Sequence, residues 1–397
     1  MEHFCLVYLT LCSVFISILG DYCPYKAMFT DLPRALLQLN KLQHLTIADT
    51  QITNWDTDIV RHIGSTLQTL ILINTSLTSW PTWVTLLPHL GTLELSYMQL
   101  RVPDDAFDNQ INTMFSVNFE NCNLTEIPSA LSKLIHLQYL VLDNNNITKV
   151  TGLPNSPNLT TLTLDGNQIS DAAQLSEGLR PVANSLTTLT LRENRLLSMP
   201  DLSAMVKLDS LDLTQNVISS IGNGKVPASL TVMDLENNYL PSLYFFMQTG
   251  VKLMILRFDH NSVLDIRDVD IPVSVSDMSV ASNRIKQLTD ASFPLNSQMG
   301  SLTLDFNPIS KISLHAFSNL QSLVYMSMVG TQLTRLPLAL GALASLRTVS
   351  FDQSAHLVCT CVEKDLQDWT SNVEINGDCG MTSVAYFFQF MSDQCPD

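Results

Sequence analysis

One spacing constrains this chain more than any other. It is LxxLxLxxNxL, present in full at Leu186-Thr-Thr-Leu-Thr-Leu-Arg-Glu-Asn-Arg-Leu196 and read in the same frame from Leu42, Leu67, Leu90, Met114, Leu137, Leu159, Leu208, Leu230, Leu253, Val275, Met299, Leu323 and Leu346, fourteen copies at intervals of 22 to 27 residues. Random apolar clustering does not hold register over such a distance, so the chain is a stack of repeats that each bury an apolar edge only against a neighbour. A length of 397 residues by itself suggests two or three domains, but the repeats cover 42–356 and predict one elongated domain.

Within a repeat, the fourth and sixth side chains point inward from a short strand, and the third, fifth and seventh point outward. The asparagine at the ninth position donates to and accepts from the backbone of the neighbouring turn, pairing amides that stacking would otherwise bury. The resulting ladder runs through Asn145, Asn167, Asn194, Asn216, Asn238, Asn261, Asn283 and Asn307, whereas Thr50, Thr75, Met98 and Cys122 hold the position earlier, and Thr331 and Ser354 later. Cys122 is expected to substitute as a weak buried donor, and Met98 has no donor at all.

This pattern is identified as the leucine-rich repeat. Two styles of outer segment accompany it. Ile127-Pro and Leu336-Pro place proline where strand pairing should end; Asp105-Ala-Phe107, Ala291-Ser-Phe293 and His315-Ala-Phe317 place phenylalanine where rings of neighbouring turns can stack. The second style resembles animal extracellular leucine-rich repeats of the Toll-like and Slit-like ectodomains. The resemblance implies an α/β repeat fold: a leucine-rich repeat solenoid, or horseshoe, with a concave parallel β-sheet and short helical or irregular convex segments.

The ends are read as caps. Residues 1–20 contain the apolar run Phe4 to Leu19 and are expected to be a secretory signal peptide; sixteen apolar residues are short for a membrane span, and no second stretch of about 20 follows. Residues 21–41 should form an N-terminal cap held by packing, since Cys23 is its only cysteine and is either a free thiol or a link to another chain. Cys5 and Cys12 leave with the signal peptide. Residues 357–397 carry Cys359-Thr-Cys361, then Leu366-Gln-Asp-Trp369, Cys379 and Cys395, which resemble the cysteine-rich C-terminal cap of secreted leucine-rich repeat proteins. That resemblance implies the disulfides Cys359–Cys379 and Cys361–Cys395; a four-cysteine zinc site is the competing reading. With no transmembrane helix or lipid-anchor tail after the cap, the expected location is extracellular.

Charge narrows the partner. Lys and Arg number 21 against 37 Asp and Glu, a net charge of -16, which disfavours nucleic acid and anionic membranes and suits a protein with a basic surface. On the concave face the seventh positions place Glu120, Asp143 and Asp165 in succession, and the fifth positions place Asp212 beside Asp234. Like charges at strand spacing oppose one another, so counterions or a basic ligand are expected to relieve them, unless the acids simply solvate the strand ends. Two groups of apolar exceptions stand out: Ile71, Ile73, Tyr97 and Tyr139, and, in the later repeats, Ile255, Phe306 and Tyr325. Aromatics ringed by charge have the anatomy of a protein interface. The candidate partner site is therefore Asp212, Asp234, Glu236, Ile255, Arg257, Asp259, His260, Phe306 and Tyr325. N-glycosylation sequons fall at Asn74, Asn123, Asn146 and Asn158, away from that site, and the first three should project from one edge of the sheet.

No HExxH, GxSxG or phosphate-binding loop occurs; Gly222-Asn223-Gly224-Lys225 lacks the P-loop spacing, and His260 beside Asp259 has no positioned nucleophile. The expectation is a non-enzymatic protein-binding module without cofactor or metal. Two further roles fit: a non-catalytic subunit that stabilises a secreted enzyme, as in crustacean luciferase complexes, and a structural component of the extracellular matrix.

Overall fold

The computed structural model describes residues 15–19, 30–75, 77–243 and 250–395. It divides into two compact units, residues 1–195 with 204–208 and residues 196–203 with 209–397. Cys5, Cys12 and Cys23 lie outside the described residues.

The first unit is built on parallel strands in chain order: β1 (Phe15–Leu19), β2 (His44–Ala48), β3 (Thr69–Ile73), β4 (Thr92–Ser96), β5 (Ser116–Asn118), β6 (Tyr139–Val141), β7 (Thr161–Thr163) and β8 (Thr188–Thr190). Equal repeat positions face one another, so Leu45, Leu70, Leu93, Val117, Leu140, Leu162 and Leu189 form one register row. These fourth-position side chains and the sixth-position Ile47, Leu72, Leu95, Phe119, Leu142, Leu164 and Leu191 are buried, as the spacing requires. Each such burial stabilises the stack by roughly 2 kcal/mol.

The second unit repeats the scheme with β9 (Ser210–Asp212), β10 (Val232–Asp234), β11 (Ile255–Arg257), β12 (Asp277–Ser279), β14 (Ser301–Thr303), β16 (Tyr325–Ser327) and β17 (Thr348–Ser350). A separate small pair, β13 (Gln287–Leu288) with β15 (Lys311–Ile312), lies between them in sequence. The last strand, β18 (Glu374–Asn376), comes from the C-terminal cap: Ile375 pairs in register with Val349, so the cap continues the sheet as well as covering its end.

The asparagine ladder forms as the spacing implies. Asn167 accepts from the Ile147 amide at 2.9 Å and donates from Nδ2 to the carbonyls of Leu142 at 2.9 Å and Leu164 at 3.0 Å. Cys122 imitates the donor half of this pattern, its thiol reaching the Leu95 carbonyl at 2.8 Å. Burial pushes the Cys122 thiol up to about 12, so it stays protonated and able to donate. Thr331 and Ser354 pair with each other at 3.3 Å.

Just before each ladder position the backbone turns left-handed. This holds in every repeat, from Asp49 (φ 53°) through Tyr97 (57°), His260 (55°) and Phe306 (55°) to Gln353 (58°). The seventh side chain next to that turn is drawn inward where it is small, and Ala48, Ser96 and Thr214 are buried, contrary to a uniformly outward seventh position.

The returning segments are short. One-turn 3-10 helices follow Pro33, Pro81, Pro128 and Pro337, because proline presets φ and ends strand pairing. Two α-helices, α1 (Thr57–Gly64) and α2 (Ala172–Gly178), occupy two of the longest repeats and are capped by Asp56 and Asp171. Phe293 and Phe317 approach within 6.3 Å, the ring contact expected of the phenylalanine style.

Both caps show chemistry of interest. Cys359 is bonded to Cys379 and Cys361 to Cys395, as the family resemblance implies, which leaves these cysteines no zinc-binding thiolates. At the other end, Phe15–Leu19 pairs in parallel with His44–Ala48 over five residues. An unpaired edge at β2 would present a row of free amides and carbonyls, and an adjoining apolar strand satisfies them.

Candidate functional site

The outer strand face of the second unit carries the predicted partner residues, and the structure sorts them into distinct rows. Asp212, Asp234 and Arg257 are neighbours in register at the fifth position. Ile255 and Tyr325 belong to the third-position row, which runs Val232, Ile255, Asp277, Ser301, Tyr325. Three strand spacings, about 14 Å, separate Ile255 from Tyr325. Glu236 and Asp259 stand at the seventh position, at the strand ends. His260 and Phe306 are not on the sheet face; both occupy the left-handed turn that borders it. Tyr97, expected on the face in the first unit, sits on the corresponding turn.

Much of the acidic character is answered from within the fold. Asp259 accepts from the Ser279 hydroxyl at 2.6 Å and the Ala281 amide at 2.6 Å; Asp305 does the same with Ser327 at 2.6 Å and Val329 at 2.8 Å. In the first unit Asp143 accepts from the Thr163 hydroxyl and the Asp165 amide, Asp165 from the Arg192 amide, and Glu120 from Tyr97 and Asn144. Where the seventh position cannot serve, the fifth does: Asp212 accepts from Thr214 N, and Asp234 from Glu236 N. These carboxylates pair seventh-position amides at strand ends, a second ladder beside the asparagines. For Glu120, Asp143 and Asp165 the hydrogen-bond donors are thus internal, although at Asp143 burial and the neighbouring carboxylates outweigh them.

Glu236 differs from these in that its carboxylate accepts no hydrogen bond among the described residues. Burial raises its carboxyl above the usual range, and the charges of Asp234, Asp259 and Asp212 add to that, against the opposing pull of Arg257. Arg257 is itself engaged with Asp277 at 3.2 Å, a pair that the sequence reading missed. Its signal is diagonal, a fifth-position cation in one repeat facing a third-position acid in the next. Further along the same unit, three and four repeats after that of Glu236, Phe306 is 52% exposed and Tyr325 41% exposed. Phe306 lies across Gly330, where a Cβ would stand 2.6 Å from the ring and φ is 67°, so Gly330 both makes the turn and clears the space. Tyr239, also exposed, was missed as well.

Among the described residues, no group of three or more His, Cys, Asp or Glu side chains is placed to hold a metal ion. No helix there is long and apolar enough to cross a membrane.

Comparison with known proteins agrees with this architecture. A two-copy leucine-rich repeat family model matches residues 135–177, and a second leucine-rich repeat model matches residues 274–333. The chain is a leucine-rich repeat protein. Toll-like receptor 2 of Boselaphus tragocamelus is 29% identical over 252 residues, covering 59% of this chain and 29% of the receptor. Keratocan of Bos taurus is 27% identical over 226 residues, covering 55% of this chain and 62% of that protein. The leucine-rich repeat chain thus spans under a third of the receptor it matches. Among solved structures, a leucine-rich repeat protein of Leptospira interrogans superposes with a TM-score of 0.65 at 21% identity, covering 88% of this chain and 93% of that one. The Drosophila Toll–Spätzle complex gives 0.57 at 14% identity, covering 86% of this chain and 56% of that one. The fold is that of a leucine-rich repeat solenoid.

Proposed function

We propose that this chain is a secreted, non-enzymatic recognition module that holds a protein with a basic surface against the strand face of its later repeats. The observation that carries the reading is Glu236. Its charge is disfavoured by burial and by three neighbouring carboxylates, and the nearby cation, Arg257, is shared with Asp277. A lysine or arginine from a partner would relieve that cost, while exposed Phe306 and Tyr325 supply apolar anchors on the same unit. Phe306 is a bulky residue held in a left-handed turn, a conformation that disfavours such side chains, in keeping with a role outside its own fold. Similarity to Toll-like receptor 2 and keratocan supports an extracellular setting, as do the N-terminal apolar run and the disulfide-bonded cap. One solved neighbour is a Toll-like receptor complexed with single-stranded RNA, but a net charge of -16 favours a basic protein over a polyanion here. The enzyme-subunit and matrix roles use the same face and differ in stoichiometry and solubility.

The test is to secrete the tagged chain from animal cells and identify what co-purifies at low and at high salt. A stoichiometric partner released by salt and weakened about tenfold by Glu236→Gln or Phe306→Ala supports the reading. A partner unaffected by both substitutions, or none from any extracellular fluid tried, overturns it.

A further inference from the structure

At the opposite ends of the strands from the left-handed turns, the first unit has a cavity of about 500 Å³, lined by Gln43, Ser65, Thr66, Gln68, His89, Gly91, Thr113 and Phe115. Gln43, Gln68, Gly91 and Phe115 are the second residues of four successive repeats, so strand stacking fixes their spacing. We infer that this cavity is a binding site for a neutral, polyhydroxylated ring, the chemistry of a hexose unit in a carbohydrate.

Four observations lead there. First, Phe115 forms one wall with 42% of its surface exposed, and its ring lies over the backbone of Gly91, where a Cβ would stand 2.7 Å from Cε1. A flat aromatic face held this way offers an apolar platform to the C–H face of a sugar ring. Second, the second-position carbonyls on the cavity wall are already paired: the Gln43 carbonyl accepts from Gln68 N and Thr69 N, the Gln68 carbonyl from Gly91 N and Thr92 N, and the Gly91 carbonyl from Phe115 N and Ser116 N. Recognition therefore falls to side chains.

Third, the side chains are suited to hydroxyl groups. The hydroxyls of Ser65, Thr66 and Thr113 donate to the carbonyls of His62, Leu42 and Leu90, which leaves their oxygens as acceptors facing a ligand. The amides of Gln43 and Gln68 and the imidazole of His89 make no side-chain hydrogen bond among the described residues, so both donors and acceptors are free. Fourth, among the described residues no carboxylate, ammonium or guanidinium lines the cavity, which gives neither an anionic nor a cationic ligand a counter-charge. The volume falls in the range of small-molecule sites and accommodates one or two sugar rings. This site is separate from the partner face of the second unit and stands or falls independently of it.

The test uses the full chain, enzymatically deglycosylated so that its own sugars do not compete, with maltose and N,N′-diacetylchitobiose as probes and a sulfated heparin disaccharide as the charged control. Saturation-transfer NMR should show transfer to ring C–H protons of at least one neutral probe, with a dissociation constant on the order of 1 mM. Phe115→Ala, Gln68→Ala and Gly91→Ala should each weaken binding at least about tenfold, the last by displacing the phenyl ring. Tyr386→Ala, at an exposed aromatic of the C-terminal cap, should leave binding unchanged, and circular dichroism should show each variant folded. The inference is overturned if neither neutral sugar binds, if the sulfated disaccharide binds better than both, or if Phe115→Ala and Gln68→Ala fold and bind as the parent chain does.

Discussion

Within the first unit, the repeats starting at Leu42, Leu67 and Leu90 and those starting at Leu137, Leu159 and Leu186 end their strands differently. In the early group the strands are five residues long, and pairing continues through the seventh position, Ala48 with Ile73 with Ser96. The ninth position is Thr50, Thr75 or Met98, and the buried hydroxyls of Thr50 and Thr75 find no partner. In the later group the strands are three residues long. There the ninth-position asparagine collects the buried amides and carbonyls, and Asp143 and Asp165 accept seventh-position amides in place of backbone carbonyls. The difference shows that a seventh-position acid is part of how this chain closes a strand, before it is anything that a ligand sees.

The largest expected effect breaks that contrast directly. Asn167→Ala leaves the Ile147 amide buried without a partner and removes one of the two donors to the Leu142 carbonyl, which keeps Asn145 Nδ2, and should cost about 2 kcal/mol in urea unfolding. Thr75→Ala removes a hydroxyl that pairs with nothing, so its change should stay within about 1 kcal/mol. Equal losses at the two positions would mean that the ladder is not what sets the later repeats apart. A smaller effect sharpens the same point: Thr75→Asn would extend the ladder backward, with the Ile47 carbonyl and the Ile52 amide as its partners, and should stabilise by about 1 kcal/mol. Destabilisation would show instead that the early turns are shaped around threonine.

Next in size is a pH effect confined to the later strand ends. Burial, the largest cause, together with the charges of Asp165 and Glu120, outweighs the bonds from the Asp165 amide and the Thr163 hydroxyl, and raises the Asp143 carboxyl to about 6. Unfolded, it titrates near 4, so the folded state binds this proton more tightly. Its contribution is fully present below about pH 4 and is lost as pH rises through 6. Asp143→Asn keeps an oxygen for the Asp165 amide, offers its Nδ2 as a donor to the Thr163 hydroxyl, and removes the titration. The stability of the parent relative to Asp143→Asn should therefore rise as pH falls from 7 to 4, and a constant difference across that range would refute the assignment.

How much of this was legible in the sequence follows from what each position must do. The inward leucines, the asparagine ladder, the donor role of Cys122 and the cap disulfides were readable because each follows from a fixed spacing or from a motif carried over whole. The rows of the strand face were readable too, since a two-residue period assigns sides. What escaped was anything set by the turn. Tyr97, His260 and Phe306 were read as face residues because the left-handed eighth position is announced only by its residue types, Gly166 and Gly330 with Asn74, Asn121, Asn144 and Asn237, and not by the apolar spacing. The Arg257–Asp277 pair escaped because it is diagonal between repeats, and the Phe115 cavity because its second-position row, Gln43, Gln68, Gly91 and Phe115, changes residue type after two repeats. The internal partners of Asp143 and Asp259 were hidden for a related reason: a carboxylate one strand away from a serine or threonine looks, in one dimension, like a charge awaiting a ligand.

The smallest effect concerns sugar attachment, and it sets the two groups of repeats against each other at the sheet edge. Asn123 is exposed with its Nδ2 undonated, and Asn158 is exposed with no side-chain hydrogen bond. Asn74, in the early group, is exposed, and its Nδ2 donates to Asp49 at 2.9 Å. Asn146, in the later group, is half-buried, donates from Nδ2 to Asn123 at 2.7 Å and accepts from Gln168 at 2.8 Å. A sugar on Asn146 must be carried on the nitrogen that closes this side-chain row, whereas one on Asn123 leaves the accepting oxygen in place. Chains modified at Asn146 should therefore fold less efficiently and be depleted from the secreted pool. Site-resolved glycopeptide mass spectrometry of secreted material should find occupancy highest at Asn123 and Asn158, lower at Asn74 and lowest at Asn146. Gln168→Ala, which frees one side of the row, should raise occupancy at Asn146 and not at Asn158. Full occupancy at Asn146 in the parent chain would show that the row yields to a sugar without cost, and that the side-chain order of the later repeats stops at the ladder itself.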